Sequence, residues 1–150
     1  MNVVNSETVN TDGSEASGGV TFSLSEDARS IARTLSAEES NAHSERPFID
    51  MLGAVRFAIS LGIYTYGDTA PPTVVSAGKT MFNLGSLDPS GIYRKAVEAL
   101  SPELLRDEPL ARLLRRYAEA GLQIMQRHHA ERDGAFNAIE LIEVTLQTQE

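Results

Sequence analysis

The segment "LLRRYAEAGLQIMQ" (residues 113–126) places apolar side chains at the three- and four-residue intervals of an α-helix. The predicted helix opens at Pro109, and its apolar stripe consists of Leu110, Leu113, Leu114, Tyr117, Gly121, Ile124 and Met125. Gly121 lies on this stripe, although a glycine inside a helix costs about 1 kcal/mol relative to alanine. A glycine on an apolar face lets another backbone approach closely, so the sequence predicts that a second helix packs against Gly121.

The second helix is predicted in residues 47–62, with Pro47 in its first turn and Gly62 as its C-terminal cap. Apolar residues cover most of its faces, which is typical of a central, buried helix. We expect this helix to supply the close approach to Gly121 through its own glycine, Gly53. The predicted packing residues are Gly53, Val55 and Ile59 on the central helix and Leu113, Tyr117 and Gly121 on the last long helix.

Shorter elements flank these two helices. The alternating "VTFSLS" (residues 20–25) predicts a short strand, and Ser23 or Ser25 caps a helix over residues 26–35. "KTMFNLG" (residues 79–85) predicts a second short strand. Further helix starts are predicted at Pro89, Pro102 and Pro109. The predicted fold class is therefore mainly α, a small helical domain with one or two short β segments and an opening like that of ribbon-helix-helix proteins.

Composition divides the chain into three parts. Residues 1–19 are polar and acidic, and we expect them to form a disordered leader. Residues 20–133 form the helical domain. Residues 134–150 form a C-terminal extension with two interpretations, which stay open. A helix fits Phe136, Ile139, Ile142 and Leu146, whereas a strand fits Ile142, Val144 and Leu146.

Several chemistries lack the residues that they need. The chain has no cysteine, which excludes disulfides, thiolate catalysis and cysteine-ligated metals. "SAGKT" (residues 76–80) matches the tail of a phosphate-binding loop, but Pro71 and Pro72 precede it where a strand is required. His129 and Asp133 supply two metal ligands at helical spacing without a third. We therefore expect no catalytic residues, no cofactor, no metal and no enzymatic activity.

The longest apolar stretch, "FIDMLGAVRFAISLGI" (residues 48–63), contains charged residues and is too short for about 30 Å of hydrocarbon. We expect a cytoplasmic protein without membrane contact. The formal net charge of −8 opposes nucleic-acid binding by the chain as a whole, because phosphate binding needs a positive surface.

Arg112, Arg115 and Arg116 lie outside the apolar stripe of the last helix. They predict a basic ridge that docks an acidic partner or DNA phosphates, and we expect the fold to survive the change of all three. The alternative is ordinary helix surface with pairs four residues apart, such as Arg115 with Glu119.

The order and spacing of "FIDMLGAVRFAISLGI", "TMF", "LLRDE" and "RRYAEAGLQIM" resemble the small accessory proteins of bacterial Dnd DNA-phosphorothioation clusters. The layout is also similar to that of DndE, which opens with a strand and two helices of ribbon-helix-helix type. The resemblance spans roughly residues 20–127. It implies a non-enzymatic accessory or interaction subunit of a DNA sulfur-modification or modification-dependent defence system. Its partners are then other proteins of the complex, with DNA contact and a homo-oligomer left open.

The alternative function is a ribbon-helix-helix transcriptional regulator, which dimerises through the strand at residues 20–25 and reads DNA from the paired strands. The outward residues of that strand, Thr21, Ser23 and Ser25, lack the arginine, lysine, asparagine or glutamine side chains that commonly read base edges. This composition favours the interaction subunit.

Overall fold

The computed structural model describes residues 20–36, 48, 50–131 and 138–149. Within these residues, seven helices and one two-stranded antiparallel sheet confirm the predicted mainly α fold class. The leader at residues 1–19, and with it the prediction of disorder, lies outside the described residues. The elements are β1 (Thr21–Leu24), α1 (Glu26–Leu35), α2 (Met51–Tyr66), β2 (Lys79–Asn83), α3 (Leu84–Leu87), α4 (Ile92–Leu100), α5 (Pro102–Asp107), α6 (Leu110–Glu131) and α7 (Ala138–Gln149).

Helices α2 and α6 pack with their backbones in contact. A Cβ atom on Gly121 would overlap the backbone carbonyl group of Ala58 in α2. A Cβ atom on Gly62 would overlap the backbone carbonyl group of Tyr117 in α6. Each helix therefore presents a glycine to the other. Ala58 pairs with Gly121 and Gly62 pairs with Tyr117, so the residue numbers rise along α2 while they fall along α6, and the two helices run antiparallel here.

Gly53 does not take part in this contact, so the prediction that it supplies the close approach is wrong. A Cβ atom on Gly53 would lie 3.3 Å from Asp50 Oδ1 and 3.9 Å from the ring of Phe48, and no atom of α6 is among its nearest neighbours. Gly53 and Gly62 are nine residues apart, which at 100° per residue places them on opposite sides of the helix. Only the side of Gly62 faces α6.

The ends of α2 also differ from the prediction. The helix begins at Met51 rather than Pro47, because the Asp50 carboxylate accepts a hydrogen bond from the Gly53 N–H (2.8 Å) and caps the first turn. Gly62 is inside the helix, and Gly67 ends it. Gly67 has φ 60°, and its N–H donates to the carbonyl of Ile63 (2.8 Å). Gly62 is thus a packing residue and not a cap.

Strand β1 pairs with β2 of the same chain in an antiparallel ribbon. Phe22 lies opposite Phe82, and the two rings stack with centroids 6.4 Å apart. The register shifts beside Phe22, which leaves Met81 as the extra residue of a bulge. Phe22 and Leu24 are fully buried beneath the ribbon. The strand–helix–helix order of the opening is therefore β1–α1–α2, with β2 as the pairing partner of β1.

Two further regions depart from or extend the sequence prediction. Helix α4 begins at Ile92 rather than Pro89, because Gly91 has a left-handed φ of 70°. The Asp88 carboxylate still caps this helix by accepting hydrogen bonds from the N–H groups of Tyr93 (3.1 Å) and Arg94 (3.2 Å).

Residues 138–149 are helical, which decides between the helix and the strand that the sequence left open. Phe136 lies outside the described residues.

Helix α7 adds Leu141, which is 4% exposed, to the same hydrophobic core as α2 and α6. The core also takes in the apolar faces of α1 and β1. None of the helices in the described ranges has a long enough apolar run to cross a bilayer. The core therefore joins the N-terminal ribbon, the two long helices and the C-terminal helix into one packed unit.

We predict that Gly121→Ala and Gly62→Ala each lower the free energy of unfolding by about 1–3 kcal/mol, because each added methyl group meets a backbone carbonyl that cannot move aside. This loss should outweigh the gain of about 1 kcal/mol in helix propensity. Urea titration followed by circular dichroism measures the change.

Gly53→Ala is the matched control, because it makes the same substitution inside the same helix α2. Its nearest neighbour is the end of the Asp50 side chain at 3.3 Å, which is able to shift. We expect no loss of stability. Equal destabilisation by all three substitutions would show that backbone contact is not the reason for Gly62 and Gly121.

Candidate interaction surface

Two of the three predicted surface arginines are engaged inside the molecule. Arg115 Nη2 donates to the carbonyl of Ser76 (2.8 Å), and Arg115 Nε donates to Glu119 Oε2 (3.3 Å). Arg116 Nε donates to the carbonyl of Pro71 (2.7 Å). Its Nη1 donates to Oε1 of Glu108 (2.7 Å). The hydrogen bonds to Ser76 and Pro71 hold the linker between α2 and β2 (residues 68–78) against α6.

The prediction of an exposed basic ridge is therefore wrong for Arg115 and Arg116, whose side chains are only 17% and 18% exposed. The pair formed by Arg115 and Glu119, which was the alternative interpretation, is present. Arg112 is exposed. Because Arg115 and Arg116 have internal acceptors, the expectation that changing all three arginines leaves the fold intact is not supported by their geometry.

Glu119 links the start of α1 to α6, a role that the sequence did not indicate. Its carboxylate accepts the backbone N–H of Ser25 (2.7 Å) and the hydroxyl of the same serine (2.8 Å). The Ser25 hydroxyl in turn accepts the N–H of Ala28 (3.1 Å), so Ser25, and not Ser23, is the N-cap of α1. The carboxylate and its neighbour Arg115 thus form a structural polar network.

The segment at residues 76–80 lacks the geometry of a phosphate-binding loop. Lys79 and Thr80 begin strand β2, whereas a phosphate-binding loop leads into a helix. Asp133 lies outside the described residues, so its pairing with His129 stays a prediction. Among residues 20–36, 48, 50–131 and 138–149, no three histidine, aspartate or glutamate side chains come together as a metal site requires.

A solvent-exposed apolar groove runs between α2 and α7. Its volume is about 160 Å³. Three of the large apolar side chains at the groove or beside it are strongly exposed: Tyr64 (48%), Ile142 (42%) and Leu146 (44%). Ile139, which is 70% exposed, lies one turn before Ile142 on α7. We name this feature the α2–α7 groove; its lining residues are Phe57, Ser60, Leu61, Tyr64, Ile142, Thr145 and Leu146.

The groove forms because only part of the apolar face of α7 packs against the core. At 100° per residue, Leu141 points to the core, and Ile142 and Leu146 lie 100° and 140° around the helix from it. The apolar arc of α7 is thus wider than the part that the core covers. Single exposed apolar residues are common on protein surfaces, whereas neighbouring exposed apolar residues that form one groove are typical of protein interaction sites.

A second cavity of about 250 Å³ lies on the other side of α7, towards the end of α6. Arg127 and Glu131 contribute its charged groups, and Val144 is part of its apolar wall. Helix α7 is therefore flanked by space on both sides and rests on the core mainly through Leu141. The helical spacing of Ile139, Ile142 and Leu146 predicted a helix here, but the alternation of Ile142, Val144 and Leu146 fitted a strand equally well.

We predict that Arg116→Gln lowers the free energy of unfolding by about 1–2 kcal/mol, because it leaves the Glu108 carboxylate and the Pro71 carbonyl without their charged donor. Amide hydrogen exchange in residues 73–78 should become faster, because the linker loses one of its attachments to α6. Thermal unfolding and hydrogen-exchange mass spectrometry measure the two effects.

Arg112→Gln is the control, since it removes the same charge from the same helix at an exposed position. We expect it to change neither stability nor linker exchange. If the variants of Arg112 and Arg116 behave alike, the hydrogen bonds of Arg116 do not hold the linker.

Comparison of the chain with protein-family models, with curated proteins and with solved structures gives no match. What the protein binds therefore has to be inferred from its own surface and sequence. The surface offers the α2–α7 groove, and the sequence offers the resemblance described above.

Proposed function

We propose that the protein is a non-enzymatic interaction subunit of a bacterial DNA sulfur-modification or modification-dependent defence system, and that it docks a partner protein in the α2–α7 groove. The observation that carries the docking role is the exposure of Tyr64, Ile142 and Leu146 around one apolar groove. The resemblance of residues 20–127 to Dnd accessory proteins supplies the kind of system.

A protein partner fits this surface better than a direct DNA contact. Two of the three arginines that would neutralise phosphates already donate to carbonyls and carboxylates within the chain. Arg112 is the exposed member of the set, and a single arginine releases too few counterions to hold DNA tightly. Shape and apolar character therefore dominate the proposed recognition.

The alternative, a ribbon-helix-helix regulator, requires strand β1 to pair with β1 of a second copy. Here β1 pairs with β2 of its own chain, and the ribbon carries Thr21, Ser23, Thr80 and Asn83 at paired positions. The side chains from β1 are short and uncharged, so most of the hydrogen-bonding capacity expected of a DNA-reading strand is missing. The intramolecular pairing favours the interaction subunit over this regulator.

The test is complementation of a deletion of the gene in its native host. Phosphorothioate linkages are quantified by mass spectrometry of nuclease-digested genomic DNA, and defence is measured as restriction of incoming unmodified plasmid. We expect the parent to restore whichever property the deletion removes, and Leu146→Glu to fail, because a carboxylate in the groove excludes an apolar partner surface.

Val75→Glu is the matched control, since Val75 is 94% exposed on the linker and lies outside the groove-lining set. It should complement as the parent does. Circular dichroism establishes that both variants fold. A deletion that changes neither phosphorothioate content nor restriction contradicts the proposed system, and full complementation by a folded Leu146→Glu variant contradicts docking in the groove.

A further inference from the structure

We infer that the α2–α7 groove takes a basic amphipathic helix of a partner protein. This inference rests on the proposed function and adds the chemistry of the partner at the same site. It is carried by two independent features of the groove, which are its shape and the charge of its border.

The shape suits a helix because apolar residues line both walls at helical spacing. Phe57, Leu61 and Tyr64 follow one another along α2 at intervals of four and three residues. Ile142 and Leu146 line the α7 wall at an interval of four residues, and the exposed Ile139 lies one turn before Ile142, beside the groove. The α2 wall is about two helical turns long, or roughly 10 Å, and the α7 wall is about one turn long. A third helix with apolar residues at matching intervals would place its side chains between the two walls.

The border of the groove is acidic on the α7 side. Glu143 is exposed and lies within 60° of both Ile139 and Leu146 on the helix. Residues 138–149 contain no lysine or arginine that would offset this charge. On the α2 wall, residues 57–66 contain no charged residue. Arg56 directly precedes this wall, and its guanidinium group donates to the backbone carbonyls of Ser86 and Leu87 in α3. A helix whose apolar stripe is flanked by lysine or arginine therefore gains complementary charge at this border.

The same charge disfavours a second copy as the occupant. An isologous pairing of two grooves would bring the acidic edges of both α7 helices into one interface, where like charges repel. The net charge of −8 on each chain adds to this repulsion. A basic partner removes both costs, and an acidic partner helix would meet the same repulsion as a second copy.

The probe is a designed, fluorescently labelled peptide of about five helical turns, with leucines on one stripe and lysines beside it. Its counterpart has glutamate in place of every lysine. Fluorescence anisotropy should show binding of the lysine peptide with a Kd between about 10 µM and 1 mM, at least about tenfold tighter than that of the glutamate peptide. Raising the salt concentration should weaken the binding.

Three variants locate the binding. Leu146→Glu should abolish it. Glu143→Lys should weaken the lysine peptide by about three- to tenfold and improve the glutamate peptide, because the border charge reverses. Glu98→Lys makes the same change of net charge at an exposed position of α4 and should leave binding unchanged. Equal effects of Glu143→Lys and Glu98→Lys would reduce the binding to net charge and overturn the inference.

Further outcomes separate this inference from the proposed function. If neither peptide binds while Leu146→Glu still fails in the host, the groove docks a partner of other chemistry, and only the present inference is overturned. If sedimentation equilibrium shows a dimer that Leu146→Glu dissociates, the occupant is a second copy. If the lysine peptide binds as predicted but Leu146→Glu complements fully, the proposed function fails while the chemistry of the groove stands.

Discussion

The structure depends on the backbone contact between α2 and α6, where Gly62 meets the carbonyl of Tyr117 and Gly121 meets that of Ala58. Each glycine weakens its own helix by about 1 kcal/mol, and burial of the flanking apolar residues at a short interhelical distance offsets that cost. The close approach also fixes what lies beyond it. Helix α2 becomes one wall of the groove, and the polar side of α6 is brought under the linker.

The polar residues of α6 serve this packing. Glu119 holds the start of α1, and Arg115 and Arg116 hold the linker. Tyr117 is buried in the contact and its hydroxyl donates to the carbonyl of Gly67 (2.5 Å). The Tyr117 phenol is protonated at neutral pH and acts as the donor, and burial raises its pKa further from neutral pH. A helix that looks in sequence like a basic surface is therefore mostly a structural support.

The sequence was sufficient for elements whose signals are local. The apolar stripe of α6, the bounds of α1 and the strand β2 follow from spacing and capping. It was insufficient where the outcome depends on a distant backbone. To predict that Gly62 and not Gly53 contacts α6, one has to know which side of α2 faces α6. Arg115 and Arg116 also donate to backbone carbonyls 39 and 45 residues away, and a backbone carbonyl has no sequence signature.

Helix α7 shows why the groove was harder to predict and what it is able to do. Its apolar arc is so wide that alternating and helical patterns both fit, and the same width leaves Ile139, Ile142 and Leu146 at 70%, 42% and 44% exposure after α7 has packed.

Completing the burial of these three side chains by a partner contributes about 3 kcal/mol in total, since full burial of such a side chain is worth about 1.5–3 kcal/mol. Association costs at least about 4 kcal/mol in lost freedom. Apolar burial on α7 alone therefore does not hold a partner; the α2 wall and the acidic border have to add to it. A weak contact of this kind is suited to an assembly in which the protein is also held by other contacts. Those contacts raise the effective concentration of the partner at the groove, so a weak site is sufficient.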